Sequence, residues 1–351
     1  MEQHAPGPDD GLRVGTRVVI RHRLDTPDRH SGATLTDVVG DLVALDETSL
    51  VVLTRRGEVK VVRATVTATR VIPPRPSRRG APHRALSVED LQRVMVGAWP
   101  AMETERLGQW LLRASRGFTQ RANSVMTAGD PGMPLAEAVE AVQRWYAARA
   151  LPANLTLAGP VGFDPMKDPL GVELAGRGYT ARVPTLTLTA PTRLIALQPR
   201  QQPPEGAQGV AGGQSVEGEG GPVVELGEVL SEAWLTAYRS YRDVDDIAVR
   251  AVLTRSPQQV FATVRGTDGR VVGIGRLGLA DGWGGIAAMW VSPERRGTGL
   301  GTRMLLGLAR VAQERGATSL HLQTDSDNIA ALSLYERRGF ERHHSYVNVT
   351  R

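Results

Sequence analysis

Slid against itself by 165 positions, this chain repeats. Leu135 falls on Leu300, and Leu155 and Leu157 fall on Leu320 and Leu322. After a connection four residues longer in the first copy, "LAGRGYTARVPTLTLT" (174–189) aligns with "YERRGFERHHSYVNVT" (335–350), with Gly178 on Gly339 and Tyr179 on Phe340. Such self-similarity constrains a fold more than local propensity does, because both segments must support one order of elements. The second copy opens with two helical patterns, "AWLTAYRSY" and "DDIAVRAVLTR". A hairpin of "QQVFATVRG" and "RVVGIGRLGLA" turns at Asp268-Gly269, and the strand "GGIAAMWV" follows. From Gly301 the apolar positions Leu300, Met304, Leu308 and Val311 keep helical spacing as far as Gly316. The strand "SLHLQT", a helix from about Asn328 to Arg338 and the strand "HSYVNVT" complete the order. It describes an α+β domain on one mixed sheet, flanked by helices. The first copy keeps the later part: the strand of "ANSVMTAGDP", a helix with Leu135, Val139, Val142 and Tyr146 on one face, and the strand "NLTLAG".

Residues 200–221, "RQQPPEGAQGVAGGQSVEGEGG", offer almost nothing to bury and read as a flexible linker. "PPRPSRRGAPHR" (73–84) marks a second break. Ahead of it, "DVVGDLVALD", "SLVVLT" and "EVKVVRATVTATRVI" are β-branched runs separated by "DET" and "RRG", which suit hairpin turns. The expected organisation is a small all-β SH3-like barrel (1–80) with a basic C-terminal edge, a degenerate copy (85–199), the linker (200–221) and an intact copy (222–351).

There is no cysteine, which excludes disulfides, thiolate metal ligands and a thiol nucleophile. No run approaches ~18 apolar residues, so no membrane span is expected. "MEQHAPGPDDGLRVG" has no apolar segment of a secretory leader, so the protein is expected in the cytoplasm. Of 42 basic residues only Lys60 and Lys167 are lysines, so single arginines carry little weight. Residues 55–84 nevertheless hold nine basic residues against Glu58. They fit a solvated strand edge and basic linker better than a surface for nucleic acid, although the second role stays open.

The copies diverge at "WVSPERRGTGLGTRMLLGLA" (290–309). A Walker loop needs Gly-Lys-Ser/Thr, which is missing, and G-x-G-x-x-G fails from both Gly297 and Gly299. What remains is R-x-x-G-x-G at the start of a helix, a nest of backbone N–H groups for a pyrophosphate-like anion. Opposite it the first copy has Pro131-Gly132-Met133-Pro134-Leu135-Ala136, and proline removes donors where they are needed. Leu174 stands opposite Tyr335, and Lys167 opposite Asn328.

"VSPERRGTGLGTRMLL" followed by "DNIAALSLYERRGF" closely resembles the GCN5-related N-acetyltransferases, the GNAT family, over the element order of 222–351. The tandem arrangement also resembles the mycothiol synthases, which are not expected to carry the N-terminal barrel. The resemblance implies acetyl-CoA as cosubstrate, without a metal. Backbone groups of Arg296, Gly297, Thr298, Gly299, Gly301 and Thr302 would hold the pyrophosphate. The strand ending at Val291 and Asn328 would meet the pantetheine arm, and Tyr335 would protonate the leaving thiolate. A phenol with an ordinary pKa of about 10 suits that task. Asn328 also suits an N-cap, and Trp290 suits packing.

No general base is evident; Asp281 and Asp325 are candidates, as is a water relay. Asp243, Asp245 and Asp246 lie where the family builds acceptor sites and could attract a cationic amine, or simply start a helix. His343 and His344 read as surface residues rather than metal ligands. The expected function is acetyl transfer to a primary amine of a small molecule or protein. The competing reading is a non-catalytic acyl-CoA sensor that binds nucleic acid or protein through its N-terminal barrel.

Overall fold

The computed structural model describes residues 12, 14, 16–24, 26, 33–54, 57–71, 82–199 and 223–351. The expected linker, Arg55, Arg56, Arg75, Arg78 and Arg79, and the N-terminal stretch through Gly11 lie outside them. The chain divides into two compact units, Met1–Ser77 and Arg78–Arg351.

The first unit is a five-stranded antiparallel sheet: β1 (Arg17–Arg23), β2 (Leu35–Leu45), β3 (Ser49–Thr54), β4 (Gly57–Val62) and β5 (Val66–Val71), ordered β4-β3-β2-β1-β5. Alternation places Val18, Ile20, Leu42, Val52 and Val61 in its core. Gly40 lets the sheet curl, since a Cβ there would stand 2.2 Å from the Leu53 carbonyl oxygen. The run expected as one strand from Glu58 breaks at a short 3₁₀ turn, Arg63–Thr65, which sends β4 and β5 to opposite edges. The strand β1 has no counterpart among the expected strands.

The second unit begins with α1 (Pro82–Ala85), α2 (Val88–Ala98), β6 (Glu103–Leu107), β7 (Trp110–Ala114), β8 (Val125–Met126), α3 (Leu135–Ala147) and β9 (Asn154–Gly159). Then come α4 (Pro169–Gly176), β10 (Thr180–Ala181), β11 (Thr185–Pro191) and α5 (Thr192–Ala196). The later half holds β12 (Val224–Gly227), α6 (Glu232–Arg239), α7 (Asp246–Leu253), β13 (Gln258–Arg265), β14 (Val271–Ala280) and β15 (Trp283–Val291). It ends with α8 (Leu300–Glu314), β16 (Ser319–Asp325), α9 (Ile329–Arg337) and β17 (Glu341–Thr350). No helix among the described residues is long and apolar enough to cross a membrane.

One sheet runs through both halves, ordered β12-β13-β14-β15-β16-β11-β17-β9-β8-β7-β6, with β10 beside β17. The halves exchange their last strands. By the repeat, β9 corresponds to β16 and β11 to the end of β17. Yet β11 pairs with β16, Leu188 opposite Leu322, while β17 pairs with β9, Val347 opposite Leu157. Each core follows suit. Leu186, Leu188 and Ala190 pack beneath α8 with Leu300, Met304 and Leu308, whereas Val347 and Val349 pack against α3 with Val139, Val142 and Tyr146. Each such buried side chain contributes ~1.5–3 kcal/mol. Segments 85–199 and 222–351 therefore do not close separate sheets.

Helix α2 binds the halves from one face. Glycine lets it approach: a Cβ on Gly278 would lie 2.4 Å from the Ala98 carbonyl oxygen, and one on Gly285 2.4 Å from the Ala98 Cβ. Between them Arg276, fully buried, donates to the carbonyls of Ala98 and Leu253 and to Ser256 Oγ, each at 2.8 Å. Those carbonyls end α2 and α7, so two helix C-termini hold a cation without any carboxylate. Burial lowers the Arg276 pKa to about 9.

Candidate active site

The site forms where β15 leaves its neighbour. Its parallel pairing with β16 ends at Ile286 opposite Leu322. The register with β14 slips between Ile274 and Arg276, and Ala288 takes a positive φ of 52°. This bulge turns the strand's last residues away and opens a wedge between β15 and β16. Past Val291 the chain makes a 3₁₀ turn, Pro293–Arg295, then passes Gly297 (φ 77°) and Gly299 (φ 82°) before α8. A Cβ at either glycine would meet nothing within 4 Å, so the backbone angle and not crowding calls for glycine. Helices α6, α7 and α9 are capped by the side chains of Ser231, Asp245 and Asn328. Gly299, the N-cap of α8, offers none, and the first-turn N–H groups face a cleft.

That cleft has a volume of about 820 Å³. Val291, Arg296, Gly297, Gly299, Gly301, Thr302, Asn328 and Tyr335 all line it, eight residues singled out by sequence. Thr298 does not; its hydroxyl turns back to the Arg295 carbonyl at 2.6 Å. Arg295, Arg296, Arg337 and Arg338 also line it and no carboxylate does, so the cleft is electropositive. The corresponding hollow of the first half, at the start of α3, is lined by Glu89 and Asp168 without an arginine, and its helix begins after Pro134. The residues of the α8 cleft fit a pyrophosphate, and those of the α3 hollow do not.

Asn328 accepts from the Ala331 N–H at 3.2 Å, as an N-cap does, and still lines the cleft. Tyr335 is buried against Phe340, with ring centroids 5.9 Å apart, and burial raises its phenol to about 12. It therefore stays a proton donor at neutral pH. Tyr335, Asn328, Met289 and Ala331 also line a second cleft of about 360 Å³. The two clefts meet through the wedge.

Two of the three acidic residues are engaged elsewhere. Asp245 caps α7 through the Ala248 N–H at 2.9 Å and pairs with Arg116 at 3.0 Å; those two contacts hold its carboxyl below the usual range. Asp246 pairs with Arg239. Asp243 lines neither cleft, but a shallow hollow that shares Tyr241 and Arg242 with the second one. Asp281 sits in the β14–β15 turn, at the opposite end of β15 from Val291, while Asp325 lines the second cleft. The surface expectation is overturned for His344, while His343 is half-buried. His344 is fully buried with Nε2 2.7 Å from Gln92, and His343 Nε2 lies 3.0 Å from the Leu86 carbonyl, because α1 and α2 cover β17. No metal-binding group of side chains occurs among the described residues. Trp290 stacks on Tyr241 at 5.4 Å, as packing requires.

Sequence reasoning missed α2, whose C-cap residue Trp99 borders the second cleft, and the loop 115–123, which brings Thr119, Gln120 and Arg121 to it. The signal for α2 was Ser87, three residues before Asp90, whose N–H it caps at 3.0 Å.

Residues 225–340 match the acetyltransferase (GNAT) family. The chain carries a GNAT acetyltransferase domain. Residues 87–169 match the C-terminal family of the "probable histone acetyltransferase Rv0428c", and residues 12–70 match its N-terminal Sm-like domain. The first unit is thus similar to Sm-like rather than SH3-like modules. An uncharacterized N-acetyltransferase of Bacillus subtilis, YobR, is 26% identical over 259 residues, covering 72% of this chain and 94% of the relative. The probable histone acetyltransferase Rv0428c of Mycobacterium tuberculosis is 26% identical over 340 residues, covering 94% and 93%. A conserved protein of unknown function from Staphylococcus epidermidis superposes with a TM-score of 0.51 at 11% identity, covering 74% of this chain and 98% of that one. The GNAT domain makes this chain an acetyl-CoA-dependent acetyltransferase.

Proposed function

We propose that the enzyme transfers an acetyl group from acetyl-CoA directly to a primary amine, with the cosubstrate in the α8 cleft and the acceptor in the second. The observation that carries this reading is the meeting of the two clefts at Tyr335. Acetyl-CoA supplies the activated acyl group as a thioester. The N–H groups of Gly299 to Thr302, with Arg296, would hold its pyrophosphate; the unpaired edge of β15 to Val291, and Asn328, would meet its arm. The amine nitrogen forms the new C–N bond as the C–S bond breaks. The nitrogen gives up one proton, and the Tyr335 hydroxyl delivers one to the departing sulfur. With no cysteine in the chain, direct transfer is the economical route. A cytoplasmic location goes with this cosubstrate.

Tyr335→Phe tests the assignment. Expected is a loss of kcat of about 10²-fold or more, the usual worth of a positioned acid, with the calorimetric Kd for acetyl-CoA kept within threefold. Wild-type kcat should show no alkaline limb up to pH 10, since the phenol is held at about 12. An unchanged kcat in the variant removes Tyr335 from the chemistry.

A further inference from the structure

The acceptor cleft carries a charge pattern that selects its substrate. From the second half it is bordered by Tyr241, Arg242 and Asp325, and from the degenerate half by Trp99, Thr119 and Arg121. Arg121 donates to Gln323 Oε1 at 2.6 Å and lies 4.9 Å over the Trp99 ring. Arg242 lies 5.9 Å over the Tyr241 ring. Neither guanidinium has a carboxylate partner among the described residues, although Arg116 and Arg239 close by are both paired. Two cations thus border the cleft against the single carboxylate of Asp325.

The wall holding Arg121 is built with care. Arg116 and Thr119 adopt positive φ angles of 52° and 56°, which non-glycine residues rarely take. Buried Asn123 fixes them. Its Oδ1 accepts from the N–H groups of Ser115 (2.8 Å) and Gly117 (3.0 Å), and its Nδ2 donates to the carbonyls of Phe118 (2.7 Å) and Thr119 (2.9 Å). The Trp99 indole donates to Thr119 Oγ1 at 3.1 Å. A loop strained in this way and pinned from within presents its side chains in one geometry. About 360 Å³ suits a small molecule.

We infer, on the reading that this is an acyl-acceptor site, that the acceptor is a small amine bearing an anionic group, an amino acid being the simplest, whose anion meets Arg121 and Arg242. The degenerate half then serves as the specificity wall of its neighbour. A lysine-rich protein tail would bring cations against guanidiniums that no carboxylate among the described residues neutralises, which is unfavourable in a partly enclosed cleft.

The experiment follows CoA release from acetyl-CoA with free amino acids, their carboxamides and a lysine-rich peptide, beside calorimetry with acetyl-CoA alone. Expected is at least one free amino acid with kcat/KM tenfold or more above its carboxamide and above the peptide. Arg121→Gln should lower that value about tenfold through KM, the worth of one hydrogen bond to a charged group, with the acetyl-CoA Kd unchanged. Preference for carboxamides or the peptide, or an Arg121→Gln variant with the same KM, overturns the inference. So does acetyl-CoA binding without transfer to any amino acid, which leaves the cosubstrate cleft standing. Failure of acetyl-CoA itself to bind would strike the transferase reading instead.

Discussion

Gly299 permits a test in which fold and binding separate. Its φ of 82° costs a non-glycine residue about 1–2 kcal/mol, less for Asn and Asp, and its absent Cβ would meet nothing within 4 Å. Gly299→Asn and Gly299→Asp should therefore both fold, each losing about 1 kcal/mol of stability. They differ in charge. The aspartate places a carboxylate at the N-terminus of α8, within roughly 5 Å of where a pyrophosphate would rest. At an effective dielectric constant between about 20 and 40, one such pair of charges repels by ~2–3 kcal/mol. That corresponds to a 30- to 150-fold weaker Kd for acetyl-CoA. The asparagine should stay within about fivefold of wild type. Calorimetric titration of the three proteins, with denaturant unfolding alongside, reads both quantities. Equal weakening by Asn and Asp would mean that shape governs the loop. An Asp variant that binds within threefold of wild type would refute the electrostatic account of the site.

Two further outcomes concern stability. Arg276→Met, close in volume, strips the Leu253 carbonyl of the Arg276 Nε donor while Ser256 Oγ still donates to Ala98 at 3.1 Å; about 3 kcal/mol should be lost in urea unfolding, and under 1 kcal/mol would show the buried guanidinium to be dispensable. Burial lowers His321 and His344 to about 3, so both are neutral in the fold and take up protons on unfolding below the ordinary histidine value near 6.5. Stability is thus complete above that value and falls as pH drops toward 3, on the order of 1 kcal/mol per pH unit per histidine; a flat unfolding free energy between pH 7 and 5 would contradict it.

The glycines at 297 and 299 were legible because a turn needs their backbone angles, and the spacing of Asn328 and Tyr335 because one helix carries both. The repeat pointed to Gly178 and Gly339, which share positive φ of 79° and 93° just past α4 and α9. The exchange of β11 and β17 was not legible. Leu186, Leu188 and Ala190 of β11 and Val347 and Val349 of β17 are small or medium apolar side chains that would suit either core, and nothing in their local pattern names the partner. Nor could sequence show that Gly278 and Gly285 exist to admit α2 from more than 150 residues upstream, or that Asp245 would be taken by Arg116. Long-range pairing of that kind leaves no local periodicity.

The exchanged strands also set an order of events in synthesis. When residues 103–159 have emerged, β9 presents a bare edge, because its partner on that side is β17, with Asn154 waiting for Thr350. Neighbouring β8 contributes only two residues to the ladder, which leaves β9 weakly held from the other side as well. The early half can gather its helices but cannot finish its sheet until the later half exists, and the later half cannot finish without β11. Such pairings, remote in sequence, are slow to form. Until β17 has been made, β9 keeps one edge without its partner, the kind of edge that can pair with a second copy instead.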